Sequence, residues 1–410
     1  MIKPANPVLQ VSFHSIVAVA IPKNYHWRIA GFYFFYFAFV GMFSPYWGLY
    51  LHSIGFNAMQ IAILMSVHPV MRMISPALWS WLADHTGKRL LVVQVAALCS
   101  AASYAGVFIT TGFTGLLLVM VLMSFFWSAS MPLVEATTLT YLGKHTARYG
   151  RIRSWGSVGF IVAVLGLGYA FDFIAIAWIL WVGLVIKLGI LLFARQIPPT
   201  EVMAHHTDTQ PIRRLVLQPH VLALFGACFL MALAHGPYYT FYSIYLVEHG
   251  YMKSAVGWLW ALGVICEIAV FFAMPWLMRH FTLTQILIAS FACAVLRFLL
   301  IGWAVNMMPW LLFAQILHAA TFGAFHAVSM ALVHQFFRGR HQSRGQALFG
   351  SITYGAGGMI GGLLSGPLWQ HWGASVMYLF SSVSALLGMF LILWKLRGVA
   401  SQVHPPDPAV

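Results

Sequence analysis

Read along the chain, the hydrophobic positions gather into twelve long runs separated by short polar breaks. They lie roughly at 29–51, 58–82, 90–110, 115–140, 154–171, 174–194, 219–247, 255–278, 283–304, 309–335, 346–369 and 374–396. Each is near or above the ~20 residues that a helix needs to cross the hydrocarbon core of a bilayer. The pattern predicts an all-α integral membrane protein of twelve transmembrane helices. The longest polar interruption, 195–217, holds Pro198-Pro199, His205-His206, Pro211 and Arg213-Arg214 and reads as a linker. The expected organisation is a tail over 1–28, a six-helix half over 29–194, the linker, a second half over 218–397 and a tail over 398–410. Within the first tail, residues 8–22 are apolar but short, carry Gln10, Ser12 and His14, and lack a small-residue cleavage site before the basic residues that follow. A retained cytoplasmic or interfacial segment is expected there rather than a signal peptide.

The two halves repeat one another. Tyr50-Leu51 followed by Gly55-Phe56 recurs 195 positions later as Tyr245-Leu246 followed by Gly250-Tyr251. Leu82 matches Leu277 at the same offset, and Gly156-Ser157 matches Gly350-Ser351 at 194. Each pair stands at the equivalent place in its half, which argues for duplication of a six-helix unit. Parallel repeats with a substrate site between them near the midplane are an established transporter plan.

Composition and charge sharpen this picture. Hydrophobic residues make up 61% and charged residues only 7%, against roughly a quarter charged in a soluble domain, so lipid must be the solvent for much of the surface. The formal charge of +14 invites a nucleic-acid reading, but its distribution excludes one. Nearly all Lys and Arg fall in the tails and in the loops on one side; Lys253 alone lies in an opposite loop, and Arg72, Lys187 and Arg297 lie within spans. This positive-inside bias predicts both termini in the cytoplasm and an even number of spans in a bacterial inner membrane. Cys99, Cys228, Cys266 and Cys293 lie far apart within spans, without metal-ligand spacing, and read as packing residues. No metal-ligand cluster, nucleophile motif or phosphate loop stands out, so neither a cofactor nor an enzyme activity is expected.

An ionisable residue inside a membrane is costly unless it is paired or faces water, which makes each one a functional candidate. Span 4 carries Glu135, and Arg153 begins span 5. Arg72 lies in span 2 and Glu267 in span 8, again 195 apart; Arg297 is central in span 9, with His318 and His326 in span 10. A carboxyl withdrawn from water holds a proton more readily, so Glu135 and Glu267 are candidates for proton exchange. Arg297 or Arg153 suits a substrate carboxylate, or serves to hold a glutamate ionised. Structural ion pairs, Glu135–Arg153 and Glu267–Arg297, are the competing expectation. Lys187, toward the inner end of its span, is expected to snorkel, and His326 to be a hydrogen-bonded packing residue. Most of the aromatics in spans 1 and 7 read as packing or interface anchors. Tyr36 with Trp47, or Tyr238 with Tyr239, are the candidates to line a cavity and stack on a flat ligand. The loop after span 2, Asp84-His85-Thr86-Gly87-Lys88-Arg89, resembles the signature loop of the major facilitator superfamily, with Ser80 at the usual first Gly. A gating role for Asp84, Gly87, Lys88 and Arg89 follows from that resemblance.

Several runs resemble a narrower group, the phenylpropionate permease family of major facilitators. They are Ala234-His235-Gly236-Pro237-Tyr238-Tyr239, Ser254-Ala255-Val256-Gly257-Trp258-Leu259-Trp260, Gln315-Ile316-Leu317-His318-Ala319-Ala320-Thr321-Phe322 and Tyr149-Gly150-Arg151-Ile152-Arg153-Ser154-Trp155-Gly156-Ser157. The resemblance implies proton-linked import of a small aromatic acid such as 3-phenylpropionate, by alternating access, in a chain that works as a monomer. Its partners are then the substrate, protons and the bilayer. A more distant resemblance links the chain to galactoside–proton symporters. In that group Glu135 and Arg153 match sugar-binding positions, and Glu267, Arg297 and His318 match proton-coupling positions. Two departures stand out: Thr321 replaces a proton-carrying Glu, and Phe160 replaces the tryptophan that stacks on sugar. A sugar or nucleoside symporter and a drug–proton antiporter are the alternatives on the same fold.

Overall fold

The computed structural model describes residues 25–143, 145, 148–198 and 212–396. The segment at 8–22, most of the linker and the tail over 398–410 lie outside the described residues. Ten membrane-length helical stretches come first: α1 Tyr25–Ser53, α2 Ala58–Thr86, α3 Arg89–Phe108, α4 Phe113–Leu142, α5 Tyr149–Phe173, α6 Ile176–Gln196, α7 Pro219–Glu248, α8 Lys253–His280, α9 Leu283–Trp303 and α10 Met308–Phe336. An eleventh, Arg344–Lys395, is 52 residues long. It changes direction at Gly373, whose φ of 80° and ψ of 175° are not helical, so it holds two spans, α11 (344–372) and α12 (374–395). Among the described residues, the twelve apolar runs therefore correspond one to one with twelve helices.

Local sequence explains where these helices begin and end. Asn57 caps α2 in a reciprocal box with Gln60, and Thr282 does the same for α9 with Gln285, satisfying backbone donors that would otherwise be orphaned. Gly55 and Gly250, the repeat partners, both adopt positive φ (92° and 82°) directly after α1 and α7. Only glycine takes that conformation without strain, so the repeat is expressed as the same turn twice. Three helices contain wide π-type turns: Phe43–Trp47 in α1, Ala319–Ala324 in α10 and Ser351–Gly357 in α11. Such turns concentrate at functional sites in helices.

Packing makes the duplication physical. α1 lies on α5 and α6, α4 on α2 and α3; in the second set α7 lies on α11–α12 and α9 on α10 and α12. Between the sets, α2 packs on α11 and α5 on α8. Exchanging the halves turns one of these pairs into the other, the mark of a pseudo-two-fold axis. The outward faces remain apolar and uncovered, with Leu98, Val162, Leu188, Phe272, Leu387 and Phe390 all exposed. Patches of that extent fit a lipid environment.

The contacts between halves are uneven along the axis. At the end remote from the Lys- and Arg-rich loops, α5 and α8 nearly touch: a methyl added to Gly168 would fall 2.8 Å from the Lys253 carbonyl, and one on Gly257 would fall 2.7 Å from that of Val164. There Asp172 of α5 accepts the backbone N–H groups of Lys253 (2.8 Å) and Ser254 (3.3 Å), capping the first turn of α8 from the opposite half. Trp258 donates to Tyr169 at 2.7 Å, and His52 lies 3.8 Å from Glu248. At the basic end, α4 and the latter part of α10 pack mainly within their own halves. The molecule is closed at its far end and parted at its basic end.

Candidate functional site

The expected ionisable residues fall into three groups. The first lies where α4 meets α5. Tyr149 donates to Glu135 Oε1 at 2.9 Å, and Arg153 Nε stands 4.0 Å from the same oxygen. The guanidinium lies over Phe37 at 3.9 Å and Tyr33 at 5.5 Å. Both charged side chains remain about a third exposed (39% and 32%), so this pair is not sealed in the core. The ion-pair expectation for Glu135 and Arg153 is met.

The second group is dry. Arg297 is 0% exposed and does not pair with Glu267, contrary to the expected ion pair. Instead Arg297 Nε donates to the Ala314 carbonyl at 3.1 Å, and Nη1 contacts His235 Nε2 at 3.2 Å. A guanidinium only donates, so His235 Nε2 must accept. That leaves Nδ1–H for the Met231 carbonyl, 2.8 Å away, and fixes one tautomer of the ring. Arg297 also lies over the Tyr238 ring at 4.2 Å, while its Nη2 has no hydrogen-bond partner. Around it, Gln315 ties Tyr238 (3.1 Å) to Tyr242 (2.6 Å), and buried His318 stacks on Phe322 with Nδ1 unpartnered. Proximity explains the difference: Arg297 makes its hydrogen bonds to α7 and α10, the helices packed against its side chain, rather than to α8. Thr321, where the distant relatives place a second acid, contacts His235 at 3.3 Å.

The third group bridges the halves. Arg72 of α2 is exposed, with its guanidinium carbon 5.7 Å from the centre of the Tyr354 ring on α11. Tyr354 O–H and His326 Nδ1 are hydrogen-bonded at 2.8 Å, as expected for a bonded histidine. Glu267 is half-buried beside Gly323 of the α10 π turn. It forms no salt bridge or hydrogen bond among the described residues. Arg72 and Glu267 each lie about 14 residues from the basic end of their helix, roughly 20 Å at 1.5 Å per residue, which is near the middle of a bilayer.

Further expectations are corrected. Lys187 does not snorkel: it is 1% exposed, donates to Ser100 Oγ at 3.0 Å, and its ammonium sits over Phe39 (3.8 Å) and Trp127 (4.5 Å). Span 6 turns this face toward α1, α3 and α4, so no route to the headgroups exists. Trp47 does not line a cleft either. It is 1% exposed, bonded to Met120 Sδ and stacked on Phe43. Tyr238 is likewise covered, whereas Tyr239 remains half-buried and Tyr36 is 7% exposed against Trp127. Phe160 is buried against α1. In the signature loop, Gly87 takes φ 66° as the α2 cap, Asp84 lies 3.9 Å from Arg89, and Lys88 precedes α3. Tyr354 and His68, which stacks on Trp127 at 4.2 Å, carry no motif; only a view of neighbouring helices reveals them. A groove of about 260 Å³ beside Trp27, Trp155 and Phe193 lies on the flank of α1, α5 and α6, and none of these charged residues lines it.

The sequence that folds into these twelve described helices matches a family model, the MFS_1 like family, over residues 26–380. The chain belongs to this family of major facilitator transporters. Within it, the chain is 30% identical to a probable 3-phenylpropionic acid transporter of Escherichia coli (strain K12), over 90% of this chain and 97% of that one. It is 27% identical to a maltose permease of Geobacillus stearothermophilus, covering 88% and 92%. Among solved structures, a mutant of the nucleoside transporter NupG superposes with a TM-score of 0.82 at 16% identity, covering 91% of this chain and all of that one. This MFS_1-like chain is therefore a multi-pass membrane transporter for a small molecule.

Proposed function

We propose that the protein is a proton-coupled importer of a small aromatic acid, of the 3-phenylpropionate kind, working by alternating access as a monomer. The observation that carries this reading is the charge balance of the membrane interior. The guanidiniums of Arg72, Arg153 and Arg297 outnumber the carboxyls of Glu135 and Glu267, and only Arg153 is engaged by a carboxylate among the described residues. A surplus of positive charge at low dielectric favours an anionic cargo. The similarity to a probable 3-phenylpropionic acid transporter supports the aromatic acid. Glu267 carries the coupled proton, being the central carboxyl left without an ion-pair partner in this state. By the positive-inside rule the basic end faces the cytoplasm of a bacterial inner membrane, with both termini there, so the structure is the inward-open form. The two exchangeable six-helix units rock about α2–α11 and α5–α8, and the Asp84–Arg89 loop remakes its contacts as the cytoplasmic side closes.

A thermal-shift and competitive-uptake screen of purified protein tests this, with aromatic acids, sugars and nucleosides at acidic and neutral pH. Stabilisation by phenylpropionate-like acids, stronger at acidic pH, is the expected result. Stabilisation by a sugar or nucleoside alone overturns the substrate, and proton-driven efflux overturns the direction.

A further inference from the structure

Three arginines offer themselves as the anchor for a substrate carboxylate, and the geometry separates them. Arg153 already has Glu135 at 4.0 Å. Arg297 is fully covered, held by the Ala314 carbonyl and His235 beneath the Tyr238 ring. Arg72 is exposed beside Tyr354 of α11 and has no carboxylate partner among the described residues. Its guanidinium carbon lies 5.7 Å from the centre of the Tyr354 ring on α11, across the seam between the halves.

The backbone around it is built for the approach. Tyr354 sits in the π turn Ser351–Gly357, and the next residue, Gly355, leaves room for Met73 of α2; a methyl there would overlap the Met73 side chain at 2.1 Å. The two helices thereby come close enough for Arg72 to lie over Tyr354, whose hydroxyl is fixed by His326.

Resting on the aromatic-acid reading above, we infer that Arg72, with the Tyr354–His326 pair facing it, is the carboxylate-binding subsite, and that the anion bridges the two halves there. Arg72 supplies a planar fork of N–H donors suited to a carboxylate. The Tyr354 ring and half-buried Tyr239 supply apolar faces for the aromatic body. Since Arg72 belongs to the first half and Tyr354 and His326 to the second, the ligand couples their motion directly.

The test compares 3-phenylpropionate with its neutral amide as competitors of uptake in proteoliposomes, for wild type, Arg72→Gln and Tyr354→Phe. Wild type is expected to prefer the acid. Arg72→Gln should lose at least tenfold in apparent affinity for the acid and little for the amide, erasing the preference. Tyr354→Phe, which keeps the ring but frees His326, should weaken the acid severalfold. Should Arg72→Gln fail to reach the membrane, Tyr354→Phe decides, and unchanged acid affinity in it overturns the subsite. Preserved acid-over-amide preference in Arg72→Gln overturns it too, while leaving the aromatic-acid function standing. A wild type that takes up no aromatic acid overturns the functional reading and the subsite together.

Discussion

At the scale of single residues, the membrane interior holds two kinds of charge. Arg297 and Lys187 are sealed in their own halves, one against Tyr238 and His235, the other against Phe39, Trp127 and Ser100. Burying a cation without an acid is expensive, and replacing such a group by an apolar one of similar size is often neutral or stabilising. Lys187→Met should therefore leave thermal stability within about 1 kcal/mol of wild type or raise it, as read from detergent melting curves. A loss well beyond that would show that the Ser100 and aromatic contacts outweigh desolvation. Glu267 is the opposite kind: central, half-buried and without a fixed partner. Glu267→Gln removes the proton site but keeps shape and polarity, so counterflow exchange should persist while accumulation against a gradient is lost. Unchanged accumulation in that variant would assign the proton elsewhere. The identity of these residues was legible in the sequence, because charge within an apolar run is conspicuous. Their partners were not. Which of α7, α8 or α10 would satisfy Arg297 depends on helix rotation, which a linear pattern leaves open.

Helices bring a different kind of information. Their number, order and duplication could be read directly from apolar run length, and the paired turns at Gly55 and Gly250 show the repeat surviving as backbone conformation. The wide turns in α1, α10 and α11 left no trace in hydropathy, since one extra backbone residue per turn does not alter composition. Nor was the Asp172 cap visible, because its partner is the backbone of α8 rather than a side chain. Asp172 satisfies two first-turn donors of a helix in the opposite half, where the dipole also favours an anion. Such hydrogen bonds to a charged group contribute about 1–2 kcal/mol in total at a partly exposed site. Asp172→Ala should thus shift the balance toward the state open at the far end by roughly tenfold, a 1.4 kcal/mol change in free energy being a factor of ten. Spin labels at Phe56 and Tyr251, in a background lacking native cysteines, should report longer far-end distances. Gly168→Leu acts by sterics on the same contact and should lengthen those distances further; unchanged distances in both would remove α5–α8 from the gate.

For the whole molecule, the decisive quantity is the charge carried per cycle. An anion entering a cell moves against an interior-negative potential, at about 2.3 kcal/mol per charge per 100 mV. One proton accompanying one carboxylate cancels that term, leaving the pH gradient as the drive; two protons would add the potential to it. Among the described residues, Glu267 is the central carboxyl left for this task. Glu135 is engaged by Tyr149 and Arg153, and Thr321 stands where distant relatives carry a further acid. A single proton per aromatic acid is therefore expected, and transport should be electroneutral. Proteoliposomes with an acid exterior should accumulate 3-phenylpropionate, whereas a potassium–valinomycin potential of either sign at equal pH should drive little net uptake. Strong uptake driven by an interior-negative potential would instead require a second proton. His326, already hydrogen-bonded to Tyr354 beside Arg72, would then be the group to replace next, because it is the ionisable side chain whose position lets substrate and proton compete at one place.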